Sequence, residues 1–329
     1  MRGIELTPEH PVSRVAELGE LAESNGFDTV FTSCHYNNRD PFVALDRIAQ
    51  RTDAVRLGPG VANPYETHPV TLASRVATLE ESSNGRAVFG IGAGDRSTLS
   101  NLGFDDEKPL RRVLEAFKVA QRLHAGERVD HEGVFVAREA GLNYHEAVGD
   151  VPVYVGAQGP HMVRMAAKHA DGVLFNGSHP ADFAWAAEQV ETGLSQRPDD
   201  RGGFDFAAYA SVSVAEDADA ARAAARPPVA FIAAGAAQPV LARHDIDVER
   251  AATIGAHISA GEFTAAFEAV SEPMLEAFCI AGTPDVVERK IASVLEYADS
   301  FVAGAPLGPS LEPAIELAGA VLARSEARA

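Results

Sequence analysis

Lysine is scarce in this chain: of 28 cationic residues only Lys108, Lys118, Lys168 and Lys290 are not arginine. Cysteine is nearly absent, with Cys34 and Cys279 alone. Two cysteines cannot build a disulfide framework, and a reducing, cytoplasmic setting is expected. There is no apolar run of about 18 residues, so no membrane-spanning helix is expected. The first residues read directly as a strand, so no signal peptide is expected. No histidine–glutamate or paired-cysteine spacing points to a metal. No Ser-His-Asp signature points to a nucleophilic hydrolase. Gly90, Gly92 and Gly94 lack the spacing and context of a dinucleotide-binding fingerprint.

Positive charge is short as well, and the 329 residues carry a net charge of −19. Acid excess with little lysine fits adaptation to high intracellular salt, where screening suppresses repulsion between carboxylates. An ordinary acidic enzyme from a high-GC genome gives the same composition. Either origin argues against nonspecific nucleic-acid binding.

What the chain does have is alternation. Strand-like runs fall at residues 3–6, 29–33, 55–61, 87–92, 153–155, 172–175, 206–214 and 300–303. Apolar residues at helical spacing separate them, several runs opening on proline, which suits a first helical turn. Residues 126–147 read as a short antiparallel excursion. Residues 215–273 are alanine-rich and helix-compatible, interrupted by Pro227-Pro228, Gly235 and Gly255. The expectation is an α/β fold, one (β/α)8 TIM barrel over residues 1–329, with a helical insertion at 215–273 between strands seven and eight. Its chemistry would lie at the C-terminal strand ends.

Several residues at those ends carry candidate chemistry. Glu5 closes the first strand. A partly desolvated carboxyl there serves as a general acid, and a glutamate paired to an arginine inside the barrel looks the same. Gly60-Val61 lies between Pro59 and Pro64, where backbone can approach a flat ligand or simply turn. Asp95 follows small residues and is either a fixed acceptor or a helix cap. Gly156, Ala157 and Gln158 precede a helix, and their N–H groups are candidates to meet a phosphate or a ring edge. Asn176, Gly177 and Ser178 repeat that arrangement, although bland β/α turns look similar. His35 opens a polar His-Tyr-Asn-Asn-Arg run.

Seven pieces in chain order carry a resemblance: Gly3-Ile-Glu5, His35 to Arg39, Leu57 to Tyr65, residues 85–95, Gly156 to Pro160, Ser178-His179-Pro180 and Ala303 to Pro306. Together they resemble the bacterial-luciferase-like superfamily and, within it, the coenzyme F420-dependent methylenetetrahydromethanopterin reductases. The resemblance implies a noncovalent deazaflavin, held by Cys34, His35, Gly60, Val61, Ala62, Asp95, Gly156, Ala157, Asn176, Gly177 and Ser178. It also implies a non-prolyl cis peptide at Gly60-Val61 forming a bulge behind the ring. Glu5 is implied as the group that protonates substrate, with Gln158 and Asp95 positioning the pterin. The implied reaction is hydride transfer between reduced deazaflavin and a methylene-tetrahydropterin, of the methanopterin or folate type. The resemblance further implies homodimers or homotetramers, formed through helices near strands two and three. FMN and a nicotinamide are the alternative donors. An FMN-dependent luciferase-like monooxygenase, another F420-dependent dehydrogenase and a non-catalytic flavin-binding protein are the alternative functions. Relatives usually carry an aspartate where Cys34 stands. Either a neighbour such as Asp40 takes over its role, or the coenzyme preference has shifted.

Overall fold

A computed structural model describes residues 1–326 apart from 106, 145 and 147. The strands are β1 Arg2–Glu5, β2 Thr29–Thr32, β3 Arg56–Pro59, β4 Phe89–Gly92, β5 Val129–Glu132 and β6 Val136–Ala140. They continue with β7 Val153–Ala157, β8 Gly172–Asn176, β9 Asp205–Val214, β10 Ile280–Gly282 and β11 Ser300–Leu307. Setting aside the β5–β6 hairpin and β10, eight strands are each followed by a helix along the chain.

Two compact units divide the chain. One holds Gly3–Phe175 with Gln189–Ala207, the other Met1–Arg2, Asn176–Glu188 and Ala208–Ala329. In the first unit β1, β2 and β3 pair in parallel, as do β4, β7 and β8. Bridges Leu57↔Ala87 and Ala62↔Ile91 link the two sets. These strands are buried almost throughout, so they read as continuous apolar runs rather than alternating ones.

Helix starts follow the expected chemistry. Pro41, Pro69, Pro109, Pro160, Pro180 and Pro284 each open a helix. A missing N–H costs nothing there, and proline's φ is already helical. Asp40 caps Pro41–Ala49 by accepting from Phe42 N and Val43 N at 2.9 and 3.2 Å. The antiparallel excursion expected at 126–147 is the hairpin β5–β6. It is latched by Glu115, which accepts from His131 Nε2 and Val134 N at 2.8 and 2.9 Å.

In the second unit β9 neighbours β11 and pairs in parallel with β10. Between β9 and β10 run helices Ala218–Gly235, Gln238–Arg243, Val248–Ser259, Phe263–Glu268 and Glu272–Phe278. The expected interruption at Pro227-Pro228 is absent, because the first of these helices runs through both prolines. Its apolar face, with Ala225, Val229, Ala230 and Ala233, is buried against Ile254, Met274 and Leu275. Tertiary packing of such a face outweighs local propensity. Gly255 likewise sits inside a helix, whereas Gly235 does end one.

Candidate active site

β3 stops at Pro59, and the Gly60-Val61 peptide just beyond it is cis. The chain bulges there and rejoins the sheet at once. Gly60 N donates to Thr32 O at 2.8 Å, Ala62 N to Gly90 O at 3.0 Å, and Gly92 N to Ala62 O at 2.9 Å. The glycines around the bulge are glycines for reasons of space. A Cβ on Gly90 would lie 1.9 Å from Pro59 O, and one on Gly92 would lie 2.6 Å from Val61 Cγ2. A Cβ on Gly156 would sit 3.0 Å from the same methyl. Val61 therefore rests on the bare backbones of β4 and β7. Gly60, Val61 and Gly156 stay partly exposed while Pro59, Ala62 and Gly92 are buried.

Glu5 ends β1, in register with Phe31 on β2, and is partly buried. Cys34 lies just beyond β2, its Sγ 3.7 Å from Thr32 O. Burial, then the charges of Asp40, Glu66 and Glu5, push its thiol far above the ordinary range, against a lowering contact from Gly60 N–H. Cys34 is thus a neutral thiol at neutral pH. Asp40 caps a helix through Oδ1 alone and lines the same cavity as Cys34.

Asp95 is a cap too, a role the sequence left open. Its Oδ1 accepts from Thr98 N at 2.9 Å and from Ser97 Oγ, starting helix Arg96–Asn101. Desolvation raises its pKa, but the hydrogen bonds from Ser97 and Thr98 and the nearby His35 outweigh it and hold the carboxyl below its usual value. Asp95 is therefore a carboxylate close to His35.

The reading of Gly156 and Ala157 as open-turn N–H donors needs correction. Both lie inside β7, in register with Leu174 and Phe175 of β8. Gln158 and Gly159 follow, exposed, and the helix then opens on Pro160, which has no N–H. In the other unit Asn176 ends β8 and is exposed. Gly177 N donates to Tyr209 O at 3.4 Å, and the buried Ser178 Oγ accepts from Ser211 N at 3.2 Å. That hydroxyl is engaged with β9.

The sequence reading missed the Asn63 lock. Asn63 Oδ1 accepts from Tyr65 N and Glu66 N at 3.1 and 3.0 Å, and its Nδ2 donates to Glu66 Oε1 at 2.6 Å. An Asn-Pro pair signals such a turn. A cavity of about 280 Å³ opens beside the bulge, lined among others by Cys34, His35, Asp40, Ala62, Asn63 and Arg75. A larger hollow, about 440 Å³, surrounds Arg86. The Arg86 guanidinium is spent on Ala49 O, Thr52 O, Val55 O and Ser83 O, so that hollow is structural. No metal-holding cluster of His, Cys, Asp or Glu occurs among the described residues. No described helix is long and apolar enough to cross a membrane.

Comparison with known proteins agrees with this geometry. The luciferase-like monooxygenase family matches residues 2–303. A 5,10-methylenetetrahydromethanopterin reductase of Methanolobus tindarius is 41% identical over 96% of this chain and 98% of its own. One from Archaeoglobus fulgidus is 40% identical over 96% and 97%. The solved structure of the coenzyme F420 dependent tetrahydromethanopterin reductase from Methanopyrus kandleri superposes with a TM-score of 0.89, at 38% identity over 96% of both chains. The fold class is the (β/α)8 barrel of the luciferase-like type, with a helical insertion between its seventh and eighth strands. The chain belongs to the luciferase-like family and, within it, to the family of the 5,10-methylenetetrahydromethanopterin reductases.

Proposed function

We propose that the chain catalyses hydride transfer between reduced coenzyme F420 and a methylene-tetrahydropterin, giving the methyl form. One observation carries this reading. The bulge at Gly60-Val61, with Val61 resting on the bare backbones of Gly92 and Gly156, leaves a partly exposed ledge next to the cavity that Cys34 and Ala62 line, in the unit that also holds Glu5. A flat ring system fits such a ledge, since no side chain larger than valine rises from it. In this reading Gly60, Val61, Ala62 and Gly156 support the ring. His35 and Asp95 offer polar groups and Ala157 shapes the adjoining backbone, while Asn176, Gly177 and Ser178 are the coenzyme residues proposed in the other unit.

The coenzyme supplies the hydride when it is bound. The protein's own work is to hold a proton and to orient. In the methylene substrate one carbon bridges two nitrogens, and no hydride adds until one C–N bond opens to an iminium. Opening requires a proton on the leaving nitrogen, and Glu5 supplies it as general acid. Cys34 and Asp95 cannot. The Cys34 thiol is held too weak an acid by burial and surrounding carboxylates, and Asp95 is kept ionised by its cap hydrogen bonds. Gln158 and Asp95 lie on the loops after β7 and β4 and orient the pterin head. Most of the remaining rate gain comes from alignment and from excluding water.

Anaerobic titration with reduced F420, reduced FMN, NADH and NADPH, each followed by methylene-tetrahydromethanopterin or methylene-tetrahydrofolate, tests the reading. Substrate-dependent oxidation of reduced F420 is the expected outcome. Oxidation of a nicotinamide alone would overturn it.

A further inference from the structure

A buried ion cluster in the second unit, well along the chain from Glu5, has no part in the chemistry above. Asp182 lies in the first turn of helix Pro180–Leu194 and is 4% exposed. Its Oδ1 accepts from Arg243 Nη1 at 2.5 Å, and its Oδ2 from His244 Nε2 at 2.9 Å. Arg243 ends the insertion helix Gln238–Arg243, and its guanidinium also lies over the Trp185 ring, 4.6 Å from the centroid. The His244 ring is wedged edge-to-face between His179, at 5.0 Å, and Phe278, at 5.9 Å. One carboxylate thus fixes the insertion to the segment that leaves β8.

That segment is fixed from its other side as well. Ser178 Oγ is tied to Ser211 N on β9. His179 O accepts from Asp182 N at 2.9 Å, and His179 Nδ1 accepts from Ala181 N at 3.2 Å, so the imidazole caps the helix. Desolvation, then the nearby His244, lowers the His179 pKa, which suits a neutral acceptor; Lys290 lowers it further, while Asp182 and Glu276 act the other way. Asn176 and Gly177 therefore project from a short span whose far end is clamped by the insertion.

Packing alone would anchor the insertion, which has its own apolar core of Val229, Ile254, Met274 and Leu275. A buried ion pair adds little net stability over apolar contacts of the same volume. Its distinctive property is direction: only one placement of Arg243 and His244 satisfies both oxygens of Asp182. We infer that Asp182 is a positioning residue that couples the insertion to the coenzyme-holding span at Asn176, Gly177 and Ser178. The inference rests on the reading of that span as part of the coenzyme site.

Two measurements on the full chain test it separately. The first needs no ligand. In Asp182→Asn, amide hydrogen exchange across residues 176–182 is expected to speed up by roughly tenfold or more relative to β2 and β3. Unchanged local exchange would overturn the inference. The second is the Kd for reduced F420 together with kcat at saturating coenzyme. Asp182→Asn is expected to raise Kd and KM by roughly tenfold with kcat within about twofold. The double variant Asp182→Asn/Arg243→Gln is expected to be no worse than the worse single one, since the two share one interaction. A lower melting temperature and a smaller active fraction with unchanged Kd would reduce Asp182 to a structural role. If Asp182→Asn does not fold, His244→Gln is read in the same two ways, with smaller effects. Absence of F420 binding by the wild type would instead defeat the coenzyme reading, leaving the exchange result to judge the coupling.

Discussion

Glu5→Gln is expected to slow substrate-dependent oxidation of reduced F420 by roughly 10²–10⁴-fold, with coenzyme affinity near that of the wild type. Glutamine keeps the length and hydrogen-bonding reach of the side chain but holds no transferable proton. Neither Cys34 nor Asp95 replaces Glu5. Cys34 keeps its proton too tightly, and Asp95 has none to give at neutral pH. Stopped-flow mixing of wild type and variant with a methylene-tetrahydropterin separates binding from the chemical step. Full activity in Glu5→Gln would remove the general acid from the mechanism. A large rise in Kd with an unchanged chemical step would make Glu5 a binding residue instead.

Gly90→Ala is the second large effect expected. The new Cβ would meet Pro59 O at 1.9 Å, and that oxygen is backbone with no rotamer to change. The bulge cannot drift away, because hydrogen bonds to Thr32 O, Gly90 O and Gly92 N hold it. Overpacking of a tight core costs about 1–3 kcal/mol, and a backbone collision this short belongs at or above the upper end. Coenzyme affinity should fall with it, since the ledge at Gly60 and Val61 is what moves. Gly203 is the control: nothing lies within 4 Å of a Cβ built there, and its φ is not positive. Gly203→Ala should stay within about 0.5 kcal/mol of wild type in denaturant unfolding. If the two variants unfold alike, the packing account of the bulge is wrong.

Some of this was legible because it is local. An apolar strand that runs into Gly58, Gly60 and two prolines announces a sharp departure from the sheet, and resemblance located the cis bond within it. Proline marked the helix starts at Pro41, Pro69 and Pro284. The misses are elements too short for periodicity to register. β10 is three residues long and ends in Gly282, so its strand character comes entirely from pairing with Val212, Ser213 and Val214. Helix Arg96–Asn101 is six residues, less than two turns, and only the Asp95 cap marks it. Pro227 and Pro228 read as breakers because sequence patterns do not reveal how much apolar surface a helix buries around them. The engagement of Ser178 with β9 and the seat of Val61 on Gly92 and Gly156 link residues far apart in sequence. Nothing in one strand end foretells which neighbour will fill its empty space.

Coenzyme F420 carrying deuterium at its hydride position provides the most direct test of direct transfer to a methylene-tetrahydropterin. A single anaerobic turnover in ordinary water, with the methyl product examined by mass spectrometry, is expected to give one deuterium in the methyl group. Label left in the coenzyme, or lost to water while unlabelled methyl product forms, would contradict direct hydride transfer on the Gly60-Val61 ledge.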